Sequence, residues 1–196
     1  HVALDLSGDA RTLLILFGGI AGGVSMPVFE FFRLSADMPG KKAFLRDPRR
    51  AWYQLGLPGL GPTVLDVRSY LDQVIAKADV DRVVTAGASA GGYAAMLFGA
   101  WCGADQVLAF SPQTFIDAAN RAASGDNRWE PQIDNLHAAG SPEAIADLRD
   151  VLSTQLSPRI AIHVSRDDSL DLVHAHRVAY LPNVTITEHE HGEHRL

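Results

Sequence analysis

Residues 81–99, DRVVTAGASAGGYAAMLFG, decide the fold of this chain. The stretch begins with a short apolar run rich in β-branched residues, and it ends with an Ala, Met and Leu run of helical composition. Between the two stands Gly-Ala-Ser-Ala-Gly, centred on Ser89. The pattern predicts a buried strand, a sharp turn and a helix.

Gly87 and Gly91 lie two residues before and two residues after Ser89, the spacing G-x-S-x-G. Glycines at these places let the backbone turn so tightly that the serine is strained and its hydroxyl stands above the sheet edge. The amide of Ala90 lies at the start of the helix, where unpaired N–H groups and the helix dipole favour an oxyanion. We therefore predict a nucleophile at Ser89 and an oxyanion-hole amide at Ala90. A phosphate-binding loop is the alternative, but neither G-x-G-x-x-G nor a P-loop is present.

The composition is that of a globular chain long enough for one domain. The 196 residues are 47% hydrophobic and 20% charged, and the formal net charge is −6. An acidic chain without a basic stripe argues against a nucleic-acid partner, and no apolar run approaches the length of a membrane span. Because Cys102 is the one cysteine, no intrachain disulfide can form and nothing demands an oxidising compartment. We expect a cytoplasmic protein.

Strand-like and helical segments alternate along the chain, which predicts parallel strands joined by right-handed crossovers. The predicted strands are the apolar runs at residues 11–17, 42–46, 83–86, 106–110, 160–164 and 184–187. Residues 2–6 are expected to form a hairpin with the first of these strands, and residues 28–34 a short helix. The sequence thus predicts an α/β fold, with a doubly wound, mostly parallel sheet and helices on both faces, as a single domain over residues 1–196.

Two short stretches follow predicted strands at the carboxyl edge of the sheet. Gly18 and Gly19 let the backbone approach a ligand closely. We expect Gly18 to line the substrate site, and an amide at or near Gly19 to complete the oxyanion hole. Trp52 and Tyr53 lie among turn formers after the next strand, and we expect them to contact substrate. A plain glycine turn and local aromatic packing are the alternatives.

The stretch at residues 114–158 is polar and helical, and it lies between two predicted strands. In a sheet protein such an insertion follows the carboxyl end of a strand, so it is expected to lie over that edge of the sheet. We therefore expect this insertion to form a small helical cap.

A serine hydroxyl needs a base to become a nucleophile, and the base needs an acid to orient it. On this sheet both must come from loops after later strands. Asp167, Asp168 and Asp171 follow the next-to-last strand. Asp168 is preferred, because it can turn back over the edge, whereas Asp171 is expected in the first turn of a helix that it caps. His194, in a glycine-containing loop after the last strand, is preferred to His191 as the base.

The residues resemble those of the α/β-hydrolase superfamily. Ser89, Asp168 and His194 stand in the chain order of its triad, and the resemblance extends from the first buried strand through His194. Ser165 replaces the glycine usual before the acid, and one residue separates Gly192 from the histidine. The resemblance implies an α/β-hydrolase fold and serine esterase-like chemistry.

The resemblance further implies cleavage of a carboxylic ester or thioester through an acyl-enzyme intermediate, on a small-molecule or acylated substrate and without a cofactor. Two alternatives stay open: an acyltransferase to a sugar or other hydroxyl, and a binding module without turnover on the same fold. His189, His191 and the neighbouring glutamates raise a third hypothesis, a zinc site in the tail. Because H-E-x-x-H and paired cysteines are absent, no metal is predicted at the active site.

Overall fold

The structure is a computed structural model that describes residues 1–20 and 29–194. The strands within these ranges are β1 (Val2–Asp5), β2 (Thr12–Phe17), β3 (Lys41–Leu45), β4 (Arg82–Ala88), β5 (Gln106–Phe110), β6 (Arg159–Ser165) and β7 (Val184–His189). The helices are α1 (Val64–Ala78), α2 (Ala90–Trp101), α3 (Ala118–Ser124), α4 (Glu130–Ala139), α5 (Leu148–Thr154) and α6 (Ser169–His176).

The strands form one sheet in the order β1-β3-β2-β4-β5-β6-β7. β1 runs antiparallel to β3, and the other neighbours run parallel, so the prediction of a mostly parallel sheet is confirmed. The predicted hairpin is wrong, because β1 pairs at the sheet edge with β3 and not with β2. Parallel pairing brings the carboxyl ends of β4, β6 and β7 to one edge, which positions the site.

The larger core lies on one face of the sheet and is shared by α1 and α2. Helix α2 is apolar around its whole circumference, and Tyr93, Met96 and Phe98 within it are fully buried. Helix α1 begins with a capping box in which the side chains of Thr63 and Asp66 satisfy each other's backbone amides. The buried α2 fixes the turn between β4 and this helix against the centre of the sheet.

A smaller core lies on the opposite face, because strand side chains alternate between the faces. It contains Leu14, Leu16, Phe44, Val84 and Ala86. Among the described residues, Phe29 and Phe31 pack against it, from a run of bends and turns at residues 29–38. The predicted helix at residues 28–34 is wrong over its described part: Phe31 has a left-handed φ of 65°, which interrupts a helix. Val28 lies outside the described residues.

The insertion at residues 114–158 contains the three short helices α3, α4 and α5. Asp117 caps α3 and Asp147 caps α5 through their side chains. The insertion is tied to the rest of the molecule at Ile145, whose amide donates to Gln54 Oε1 at 2.6 Å and whose carbonyl accepts from Tyr93 Oη. None of the described helices is long and apolar enough to span a membrane.

Candidate active site

Ser89 stands in the turn between β4 and α2, with φ 54° and ψ −121°. The flanking glycines are required by close packing: a Cβ on Gly87 would lie 2.1 Å from the Gly91 carbonyl oxygen, and one on Gly91 would lie 2.2 Å from that of Phe17. Both distances are far inside van der Waals contact. The strand, sharp turn and helix predicted from G-x-S-x-G are therefore present, and the strained backbone is held by packing on two sides.

His194 meets the serine from the loop after β7. Its Nε2 lies 3.0 Å from Ser89 Oγ, and its Nδ1 lies 2.8 Å and 3.0 Å from the carboxylate oxygens of Asp171. A carboxylate accepts only, so Nδ1 carries the proton and Nε2 is free to accept from the serine hydroxyl. The side chain of Asp171 is fully buried, and that of His194 is 24% exposed. This is the geometry of a nucleophile, a base and an orienting acid.

The carboxylate beside His194 is thus that of Asp171, which corrects the preference for Asp168. Asp168 is the N-cap of α6, and its Oδ1 accepts from the Asp171 amide at 2.9 Å. The positions predicted for the two aspartates are therefore exchanged. Asp168, which precedes α6, caps the helix, and Asp171, in the first turn, directs its side chain towards His194.

His191, the competing base, has a side chain that is 90% exposed and lies 3.5 Å from Asp167 Oδ2. In the tail, His189 Nε2 lies 3.2 Å from His163 Nδ1. His189 and His191 therefore face different partners, which does not favour the zinc hypothesis. Among the described residues, a group suited to hold a metal ion is Asp168, Asp171 and His194. A guanidinium already lies among these atoms, as described below.

The two amides predicted to form an oxyanion hole, those of Ala90 and Gly19, belong to residues that lie close to Ser89. Ala90 is the first residue of α2 and is buried. Gly19 lies beside the serine, since a Cβ placed on it would be 3.6 Å from Ser89 Cβ. Its N–H donates to Glu30 Oε2 at 2.7 Å. The amide that was predicted to stabilise an oxyanion thus donates a hydrogen bond to a carboxylate.

Gly18 has both of its backbone polar groups engaged: its amide donates to the Leu45 carbonyl at 2.9 Å and its carbonyl accepts from Tyr53 Oη at 2.9 Å. Trp52 and Tyr53 are each only 1% exposed. The expectation that Gly18, Trp52 and Tyr53 contact substrate is not met. All three are buried, and their polar groups form hydrogen bonds within the protein. Left-handed φ values of 50° and 63° turn the two aromatic rings inwards.

Gln113 is a site residue that the sequence analysis missed. It is buried, and its Nε2 lies 3.3 Å from Ser89 Oγ. Trp52 Nε1, which can only donate, lies 3.1 Å from Gln113 Oε1. The amide oxygen must therefore face the indole, so the NH2 group faces the nucleophile. The position of Gln113, three residues after β5 at the same sheet edge, was the available signal.

Arg128, from the insertion, is a second residue that was missed. Its Nη1 lies 2.8 Å from Asp171 Oδ1 and 3.4 Å from His194 Nδ1. Burial raises the pKa of Asp171, but hydrogen bonds from His194 and Arg128 outweigh burial and hold that pKa below its ordinary value. The acid therefore stays ionised over the pH range in which a histidine titrates. No local motif marks this arginine, which lies 43 residues before Asp171.

Several solved structures have this architecture. The fluorophosphonate-binding serine hydrolase F of Staphylococcus aureus is 15% identical, with a TM-score of 0.64 over 94% of this chain and 77% of its own. The capsule O-acetyltransferase of Neisseria meningitidis serogroup A is 15% identical, with a TM-score of 0.67 over 98% of this chain and 83% of its own.

A glycosylation-associated protein complex from Streptococcus agalactiae is 16% identical, with a TM-score of 0.64 over 98% of this chain. The present chain spans only 40% of that relative. No protein-family model matches the sequence, and no curated protein matches it. The TM-scores of these matches show a likeness of overall fold. On these grounds the chain has the α/β-hydrolase fold.

Proposed function

We propose that this protein is a serine hydrolase that cleaves a carboxylic ester or thioester through an acyl-enzyme intermediate. The observation that carries the proposal is the unbroken contact chain from Ser89 Oγ through His194 to the buried Asp171. The similarity to a serine hydrolase and to an O-acetyltransferase supports the same class of chemistry.

In the proposed acylation, Ser89 Oγ attacks the carbonyl carbon while His194 Nε2 takes the hydroxyl proton. The tetrahedral oxyanion is stabilised by the Ala90 amide at the start of α2. The intermediate then collapses: the bond to the leaving alcohol or thiol breaks, and His194 returns the proton to that group. In the second half, His194 takes a proton from water, and the hydroxide attacks the carbonyl carbon of the serine ester. The bond to Ser89 Oγ then breaks, the acid is released, and His194 returns the proton to Ser89 Oγ.

Labelling with a fluorophosphonate probe tests this proposal directly, because the probe reacts with activated serines. We expect a single adduct by intact mass, located at Ser89 by peptide mapping. Ser89→Ala should abolish the adduct, and His194→Ala should weaken it strongly. A folded wild-type protein that is not labelled would contradict the proposal and favour a binding module.

Transfer to a hydroxyl is a second candidate, and the similarity to a capsule O-acetyltransferase favours testing it. Hydrolysis and transfer share the acyl-enzyme and differ in the group that attacks it. With an ester substrate that the enzyme cleaves, an added sugar or simple alcohol should divert product from the acid to a new ester if transfer is the natural reaction. Unchanged release of the acid at high alcohol concentration favours hydrolysis.

Glu30 is expected to restrain the reaction, because its carboxylate occupies the Gly19 amide. A hydrogen bond to a charged acceptor contributes about 1.5–3 kcal/mol, so releasing the amide should speed labelling of Ser89 by about tenfold to a hundredfold. We therefore expect Glu30→Ala to raise the second-order labelling rate. Asp37→Ala removes an exposed carboxylate from the same run of turns and serves as the control. A rate for Glu30→Ala no higher than the control's would show that the Gly19 amide is not a second oxyanion donor.

A further inference from the structure

Arg128 makes more polar contacts with the triad and its surroundings than its place in the insertion would suggest. Its Nη1 contacts Asp171 Oδ1 at 2.8 Å, lies 3.7 Å from Asp168 Oδ2 and lies 3.4 Å from His194 Nδ1. The side chain is 19% exposed, so water screens these contacts only partly. We infer that Arg128 is a positioning residue, by which the insertion holds the Asp171 carboxylate in place against the His194 ring. The inference rests on the proposed function.

The guanidinium is itself fixed by a second carboxylate. Arg128 Nε donates to Asp126 Oδ1 at 3.0 Å and Nη2 donates to Asp126 Oδ2 at 3.0 Å, a two-point contact that orients the planar group. The Arg128 amide also donates to Asp126 Oδ1, at 2.9 Å. With two nitrogens held in this way, the third nitrogen points to Asp171.

Asp126 is anchored in turn by the buried His174. The Thr114 amide donates to His174 Nδ1 at 3.0 Å, so Nδ1 carries no proton. Nε2 must then carry it and donates to Asp126 Oδ2 at 3.0 Å. Burial lowers the pKa of His174, which keeps this ring neutral. Successive hydrogen bonds thus connect His174 to Asp126 and Asp126 to Arg128. Arg128 in turn donates to Asp171.

Arg128 and His194 bind the same carboxylate. His194 Nδ1 lies 3.0 Å from Asp171 Oδ1 and 2.8 Å from Oδ2, and Arg128 Nη1 donates to Oδ1 at 2.8 Å. Because the Asp171 side chain is fully buried, these contacts determine how its carboxylate is oriented. Loss of the guanidinium would therefore free the carboxylate to turn away from the His194 ring.

The test compares Arg128→Met and Arg128→Lys with Arg177→Met, by the second-order rate of fluorophosphonate labelling. Arg177 is a matched control, because it is 20% exposed and is likewise paired with an aspartate of the insertion, Asp147, at 2.5 Å. We expect Arg128→Met to slow labelling about tenfold to a hundredfold, because a misplaced acid costs rates of that order. Lysine should restore part of the rate, and Arg177→Met should leave the rate unchanged.

A second measurement does not depend on turnover. In Ser89→Ala protein, the NMR resonance of the His194 Nδ1 proton, assigned by its loss in His194→Gln, reports the hydrogen bond to Asp171. We expect this resonance to shift or disappear when Arg128→Met is added, and to be partly restored by Arg128→Lys. An unchanged resonance or an unchanged labelling rate in Arg128→Met overturns the inference, and so does a slower rate without rescue by lysine. Absence of labelling in the wild type contradicts the proposed function instead, and the resonance still decides the role of Arg128.

Discussion

Replacing Asp171 with asparagine is expected to slow acylation of Ser89 by about 10³- to 10⁴-fold, the usual cost of losing the acid of such a triad. Asparagine fills the same volume, but its NH2 group cannot accept the His194 Nδ1 proton. If the amide oxygen faces the ring instead, the negative charge that stabilises the imidazolium is still lost. The expected loss is in the rate of labelling and of ester cleavage, with the thermal unfolding midpoint followed as a check on folding.

Asp168→Asn is the matched control for Asp171→Asn, since it makes the same chemical change three residues earlier. Asparagine is as good an N-cap as aspartate, so α6 keeps its cap and the rate should stay within about threefold of the wild type. The pair decides between the two acids directly. A large loss in Asp168→Asn with a small loss in Asp171→Asn would contradict the contacts that His194 makes in the structure.

The choice between these aspartates shows where sequence reasoning stops. The turn at Ser89 could be predicted because its cause is local: the glycines, the strand before them and the helix after them are contiguous. The sheet edge that gathers the site could also be predicted, since alternating strands and helices dictate parallel pairing. Which carboxylate meets His194 depends on where α6 begins and on how its first turn faces the loop after β7. A spacing of three residues in the sequence does not carry that information.

The remaining site residues depend on contacts between distant parts of the chain. Trp52 looked like a ligand contact, but its indole is buried and orients Gln113, 61 residues further on. Arg128 contacts Asp171, which lies 43 residues later in the sequence. Arg128 belongs to a loop, and hydrophobic periodicity does not predict where a loop lies. Gly19 lies beside Ser89 as expected, but no pattern in the sequence indicates that Glu30 accepts a hydrogen bond from its amide. Local patterns thus pointed to Ser89 and His194, which lie in contact, and tertiary packing determines which other groups surround them.

The tight turn itself predicts a large effect on stability. Gly91→Ala is expected to destabilise the protein by about 3 kcal/mol or more, because such overpacking cannot be relieved within a buried core. The added Cβ would lie 2.2 Å from the Phe17 carbonyl oxygen and 2.9 Å from the Gly18 carbonyl carbon. Both contacts are backbone, at the end of the central strand β2, so neither partner can rotate away. The measurement is urea or thermal unfolding.

Gly103→Ala is the control for Gly91→Ala, because it tests backbone conformation without crowding. Gly103 has φ 66°, and a Cβ there would meet nothing within 4 Å, so the cost should be about 1 kcal/mol. If Gly91→Ala is destabilised no more than this control, the close packing of α2 against β2 is wrong. If it is much less stable but still labels at Ser89 at the normal rate once folded, the turn needs glycine for packing and not for the strained conformation of the nucleophile.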